Sequence, residues 1–432
     1  VPAAETVTDE SGAVRASEHF REQGIDFLLL QASSLILGDV VLPFADASER
    51  IGFWIVPEPT LEGELPLNSL TGFNLGISIL RKNFPERPVK WFYGSPDGSE
   101  EFLARLSVTV AALRCLVQLQ GSRIGMLHDV VPTFINLTYH TESIRQMLGV
   151  EVIPLTLDEL FTRIRAEEAD PAVVREMYDT AGEVRVTEEE IGSMAKIARQ
   201  ITAMAGDDSL DAVALRCWPE FQDELQLAPC AAVAYLNDHG LITSCEGDLP
   251  GALSMLAGWY ISGQAPTMND PVALDMENNL IQMWHCGPGP ASWADEHGQT
   301  LDYHHTLNRR IAEGAPKAGV SSDISFRRGE VTILHISGDA KSIFILEGRV
   351  VEGPAPPYPG SGGWIGELRS NGEPCSCADV LEGIAKYGFE HHYPIIRGHH
   401  EAALREFAGW SGMDILELPK SELYQKRVRG SW

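Results

Sequence analysis

Glu246, Asp270 and His285 are residues that bind hard cations or carry protons. All three fall in one stretch, which runs S-C-E-G-D-L-P-G-A-L-S-M-L-A-G-W-Y-I-S-G, then T-M-N-D-P, then I-Q-M-W-H-C-G-P-G-P. Each stands at the edge of an apolar segment rather than on a solvated face. A second concentration is E-H-H-Y-P-I-I-R-G-H-H, residues 390–400, which holds four of the 13 histidines. Alone that tract is a weak metal signal, because it lacks the i, i+4 spacing of a helical histidine pair. Its plain reading is a strand at 393–396 with surface histidines at both ends. Carboxylates and imidazoles together make a shell that suits Mn²⁺ or Mg²⁺, whereas zinc would draw on cysteine. Two carboxylates in different environments can also serve as base and acid at one carbon centre.

The elements that must position these residues are legible around them. Residues 241–244 read as a short strand after an Asn-Asp-His-Gly turn, so Glu246 falls just past its carboxyl end. Residues 249–262 read as a helix, with Asp248 placed to cap it, Pro250 tolerated in the first turn and Gly263 closing it. Residues 280–284 read as a buried strand ending at His285. Ligands at the carboxyl ends of strands are where open α/β sheets put their chemistry.

Upstream, residues 1–120 look α/β, with strands at 25–30, 52–56 and 89–93 and a helix at 99–119. Gly94-Ser95-Pro96-Asp97-Gly98 reads as a turn feeding that helix rather than a phosphate cradle, since it has neither G-x-G-x-x-G nor a lysine in the Walker position. The pattern restarts at Ser122 with strands at 123–127, 150–154 and 212–217 and helices at 141–148, 157–166 and 188–205. This alternation implies βαβ units and a parallel sheet. Trp218, just past the last of these strands, is either a pocket wall or a packing residue. Toward the C-terminus, strands at 331–336 and 341–346, a Gly/Pro loop at 353–363 and a helix at 378–387 suggest a barrel or sandwich. The fold class is therefore α/β: two Rossmann-like domains, 1–120 and 121–262, then a β-rich, barrel-like domain, 263–432.

Composition narrows the function classes. The 432 residues are 44% hydrophobic and 22% charged, ordinary globular material for several domains. With 33 basic against 61 acidic residues the net charge is −28, which disfavours nucleic acid and anionic membrane surfaces as partners. No unbroken apolar run of membrane-spanning length and no secretory leader is visible. Seven scattered cysteines fit a reducing cytoplasm better than a disulfide framework, and Cys375 and Cys377 read as loop cysteines without a second pair. Cys245 and Cys286, beside Glu246 and His285, read as small buried filler.

Residues 244–295 resemble the L-fucose and L-arabinose isomerases: a Glu (Glu246), a Gly 17 residues on (Gly263) and an Asp 24 residues on (Asp270), with an apolar helix between. Ser122-Arg-Ile-Gly-Met through Gly149-Val-Glu-Val-Ile-Pro-Leu-Thr-Leu-Asp-Glu-Leu is similar to the start of that family's second domain. His391-His392 through Leu404-Arg-Glu-Phe-Ala408 and Gly412-Met-Asp-Ile is similar to its C-terminal run. The resemblance covers about residues 120–432 in pieces. It implies a cytoplasmic homo-oligomer, often hexameric, that isomerises a free aldose to its ketose through a cis-enediol with Mn²⁺ or Mg²⁺. Glu246 and Asp270 would be ligands and acid/base groups, His392 the histidine ligand and His285 a fourth ligand, as in the arabinose branch. Trp218 and His391 would contact the small-molecule sugar. The first third, which often reaches a neighbouring subunit's site, offers no matched sugar contacts, so the sugar is left open. A metal-dependent sugar lyase or aldolase would share the metal chemistry but cleave its substrate, and a non-catalytic sugar-binding protein would need no metal.

Overall fold

The computed structural model describes residues 1–3, 6–307 and 319–421. The chain divides into two compact units, Val1–Val117 and Gln118–Trp432. The first carries a parallel sheet of three strands in the order β1 (Leu28–Ala32), β2 (Ile51–Ile55), β3 (Val89–Tyr93). Apolar runs bounded by Gly, Pro and Asp make these short buried strands, and Phe53 and Phe92 are fully buried in them. The helix Glu100–Leu119 turns Phe102, Ala112, Leu113, Cys115, Leu116 and Leu119 inward. It also meets the length and mean hydropathy (1.6) of a membrane span, with 39% of the relevant window buried. Arg105 and Arg114 interrupt its apolar run, and Arg105 lies 4.0 Å over the Trp91 ring of β3.

In the second unit the strands are β4 (Arg123–Leu127), β5 (Glu151–Leu155), β6 (Ala181–Val184), β7 (Ala212–Leu215), β8 (Ile242–Ser244), β9 (Thr267–Asp275), β10 (Leu280–His285), β11 (Gln299–Tyr303), β12 (Val320–Ser325), β13 (Gly329–Ile336), β14 (Ser342–Val351), β15 (Ser361–Ser370), β16 (Glu373–Pro374), β17 (Tyr393–Arg397) and β18 (Asp414–Ile415). Four of them form a parallel sheet in the order β5-β4-β7-β8. The remainder form a large mixed sheet, in which β14, β13, β17, β9, β10 and β15 are antiparallel neighbours. Because β14 also pairs with β15, these six strands close on themselves. The α/β class with a barrel-like C-terminal part is thus borne out, and closure removes two exposed sheet edges. Ile281, Met283, Val331, Ile333, Phe344, Leu346, Ile365 and Ile395 fill the barrel core. Cys375 lies in the loop between β16 and the helix Cys377–Tyr387, as expected, whereas Cys377 opens that helix; both are buried against this core.

The helix Leu249–Ser262 joins the two sheets. It packs on β7 and β8 on one side and on β13 and β17 on the other. Its residues from Leu249 to Gly258 are all buried, as a helix apolar on every face must be. Contact with β17 is close enough that a Cβ on Gly258 would come within 2.8 Å of Ile396 Cγ2. Ends follow the sequence: Asp248 accepts from Gly251 N at 2.9 Å, and Gly263 stops the helix at φ 67°.

Candidate active site

Glu246 sits in the turn between β8 and this helix, at the carboxyl end of the parallel sheet. It holds φ 64°, and Gly247 follows at φ 68°. A non-glycine residue in the left-handed region is uncommon and occurs where surrounding structure imposes it. Here Val131 N donates to Glu246 O at 3.2 Å and Gly247 N to Leu215 O at 3.0 Å, tying the turn to the ends of β4 and β7. A Cβ on Gly247 would meet Asp129 O at 2.8 Å. The Glu246 carboxylate is thereby turned away from bulk water, with its side chain 12% exposed.

The barrel supplies the facing groups. Asp270 lies in β9 and pairs with Trp284 of β10, and His285 ends β10 on the same side as the core residues Ile281 and Met283. Tyr393 of β17 pairs with Asn269 of β9, so the next residue out, His392, stands across from Asp270. His392 alternates with Tyr393 and Ile395, which point into the barrel core. It faces the start of the helix Leu249–Ser262 instead.

All six residues singled out in the sequence come together. His392 Nε2 lies 3.1 Å from Glu246 Oε2 and 3.8 Å from Asp270 Oδ1. His391 Nε2 is 3.6 Å from Glu246 Oε2, and Trp218 Nε1 donates to Glu246 Oε1 at 3.2 Å. The rings of His285 and His392 are 5.4 Å apart. One ligand atom from each of Glu246, His285 and His392 lies within 4.8 Å of the others, and the same holds for Asp270, His391 and His392. Sequence reasoning missed Phe134 and Asn136, between β4 and the helix Thr141–Leu148. Phe134 packs edge-on against both Trp218 and His391, and the Asn136 amide is 3.1 Å from His391 Nδ1. Neither carries a chemical signature in sequence. Asp248 was legible only as a helix cap. Its second oxygen accepts from His392 Nδ1 at 2.9 Å, a partner 144 residues away.

The electrostatics differ from residue to residue. Burial acts to raise the Glu246 pKa, but the facing imidazoles of His391 and His392 outweigh it and hold the carboxyl well below its usual range. Burial pushes His285 down, against the pull of the Asp270 and Glu246 charges. Burial also opposes charge on His392, but its bonds to Asp248 and Glu246 prevail and raise its pKa well above the ordinary imidazole value.

A cation fits this donor set. Asp270 Oδ1 and His285 Nε2 are buried polar atoms without a hydrogen-bond partner, and His392 Nε2 meets only Glu246 Oε2, at 3.1 Å. Such atoms are costly unless something else satisfies them. Two carboxylates and imidazole form a hard, oxygen-rich shell of the Mn²⁺ or Mg²⁺ type. Cys230, Cys286 and His304 also gather within 4.8 Å. There, however, His304 Nδ1 accepts from Thr306 N and Leu307 N, so its Nε2 carries the ring's proton.

A buried carboxylate–imidazole cluster at strand ends, with pKa values driven apart, is the make-up of an enzyme active site. No protein-family model matches the chain. It is similar to two proteins named sulfoquinovose isomerase, from Priestia aryabhattai and from Priestia megaterium (strain ATCC 12872 / QMB1551). Each is 30% identical over 386 residues, 87% of this chain and 81% of theirs. A third of that name, from Alkalicoccus urumqiensis, is 26% identical over 400 residues, 91% of this chain and 86% of its own. The chain belongs to the sulfoquinovose isomerase family and is a sugar isomerase.

Proposed function

We propose that the protein is a metal-dependent aldose–ketose isomerase acting on sulfoquinovose, a hexose whose C6 carries a sulfonate. The observation that carries the mechanism is that Glu246 and Asp270 both approach the buried His392 Nε2, at 3.1 and 3.8 Å, and that Asp270 Oδ1 has no hydrogen-bond partner there. The names of the relatives support the substrate.

Glu246, Asp270 and His392 would hold the cation, with Mn²⁺ or Mg²⁺ the ion for such a shell; His285 Nε2 faces the same space. When bound, the cation would polarise the sugar carbonyl and offset the charge of the enediolate. One carboxylate takes the proton from C2 and returns it to C1, while the other moves a proton between O1 and O2, so no proton is gained or lost overall. Glu246 and Asp270 suit this pair of tasks because their surroundings differ: Trp218 and two imidazoles crowd Glu246, whereas Asp270 Oδ1 stands 3.8 Å from His392 Nε2 and has no hydrogen-bond partner. Trp218, Phe134 and His391 form a wall on which a sugar ring can rest. The subunit reads as three domains, 1–120, 121–262 and 263–432, and assembles with copies of itself.

The test is product formation from sulfoquinovose, glucose, L-fucose and L-arabinose with Mn²⁺ present. Ketose should form from sulfoquinovose in clear preference to the others. Equal turnover of all four, or turnover of an unsulfonated sugar alone, would remove the substrate assignment.

A further inference from the structure

Two imidazoles face the same buried space, yet the groups behind them are of opposite kind. His392 Nδ1 is 2.9 Å from Asp248 Oδ2, and both side chains are closed to solvent. An ionised carboxylate only accepts, so the Nδ1 hydrogen is fixed there. The other Asp248 oxygen is held by Gly251 N at 2.9 Å, so the carboxylate cannot swing away without uncapping the helix Leu249–Ser262. When a cation displaces the proton on His392 Nε2, the nitrogen left bare is the one aimed between Glu246 and Asp270. His285 has the reverse arrangement: the backbone N–H of Cys286 donates to its Nδ1 at 2.9 Å, and the Cys286 thiol lies 3.3 Å from the same atom. Nδ1 is therefore the bare nitrogen, and the ring's one hydrogen sits on Nε2. That N–H is buried and has no partner, and the ring offers a nitrogen within 4.8 Å of ligand atoms of Glu246 and His392. An N–H in this state is costly unless an acceptor arrives, and a ligand oxygen is such an acceptor.

We propose that Asp248 is the positioning residue that makes His392 a metal ligand, and that His285 is an N–H donor to a substrate oxygen rather than a fourth ligand. This rests on the metal-dependent reading above, and it departs from what the resemblance to the arabinose branch implied for His285.

The test uses Mn²⁺ titration of the full-length chain, followed by the signal of the free ion, beside melting temperature and steady-state kinetics. Asp248→Asn keeps an acceptor for Gly251 N, and asparagine caps helices as well as aspartate does. Its amide N–H would face His392 Nδ1 and leave the ring's hydrogen on Nε2. Mn²⁺ affinity should fall on the order of 10- to 100-fold, as for loss of a group that orients a metal-bound histidine, with melting of the metal-free protein close to wild type. Asp248→Ser, which also caps, should weaken Mn²⁺ in the same way and separates this effect from any misfolding of the first variant. His285→Leu should bind Mn²⁺ as wild type does while kcat falls about 100-fold, the usual loss for one transition-state hydrogen-bond donor. His285→Gln, which still presents an N–H, should recover part of that loss. Loss of Mn²⁺ binding in His285→Leu as deep as in His392→Leu would make His285 a ligand and overturn the proposal. Unaltered Mn²⁺ affinity in both Asp248 variants would overturn the role given to Asp248. If wild type itself bound no Mn²⁺, the metal-dependent reading would fall, and this proposal with it.

Discussion

Glu246 keeps a charge in a nearly closed pocket because imidazoles stand against it, and this balance makes the site sensitive to single atoms. Replacing Glu246 with Gln leaves the shape and removes the charge and the proton acceptor. Turnover should fall by about 10²- to 10⁴-fold, the range for loss of a positioned acid/base group, while circular dichroism and melting stay near wild type. The pKa shifts predict the behaviour of the metal-free protein with pH. Glu246 is depressed on folding, so its contribution is present above the ordinary carboxylate value and is lost as pH falls through the folded value. His392 is raised, so its contribution is complete below the ordinary imidazole value and is lost as pH rises through its folded value. Metal-free protein should therefore melt highest between those limits, and a series of melts across pH checks this. Since a bound cation must displace the His392 proton, Mn²⁺ affinity should weaken as pH is lowered through neutrality, with protons released on binding.

At the scale of elements, the turn after β8 is the most exacting piece of the site. Gly247→Ala would place a Cβ 2.8 Å from Asp129 O at a backbone angle that L-residues avoid. A cost of about 1–3 kcal/mol is expected, with kcat falling because Glu246 moves with the turn; denaturant unfolding and kinetics on the same sample would show both. Much of this scaffold was readable from sequence. The Asp248 cap and the Gly263 stop bound the helix Leu249–Ser262 where the structure has it, and the strands Arg123–Leu127 and Val89–Tyr93 fall as the apolar runs mark them. Strand β9 was harder, because Pro271 argues against a ladder position. The structure admits it where Pro271 meets Met283, beside a shift of register that passes over Val272 of β9. Strand β6, Ala-Gly-Glu-Val, is too short and polar to stand out, and it exists because β11 offers it an edge. The bond from Asp248 to His392 was invisible for a different reason: local pattern explains Asp248 fully as a cap, and nothing in a sequence marks a second job for the other oxygen.

For the whole molecule, assembly and reaction are the two remaining questions. The first unit exposes Trp91 (48%) and Tyr93 (53%) on alternate positions of the edge strand β3, and Leu103 and Val110 on the helix Glu100–Leu119. Alternate aromatics on an unpaired edge are a surface that a second copy can cover. Light scattering should give a mass that is a multiple of the single chain, and Trp91→Asp with Tyr93→Asp should shift it to a smaller species; a single-chain mass for the wild type would contradict this. The central claim is that a cation held by Glu246, Asp270 and His392 is needed for proton transfer within a sugar. Its most direct test is ¹H NMR of sulfoquinovose with the wild-type protein after chelation, then after Mn²⁺ is restored, beside Asp270→Asn treated in the same way. The account predicts ketose only with Mn²⁺ restored and only from the wild type. Full turnover by the chelated protein, or by Asp270→Asn, would contradict it.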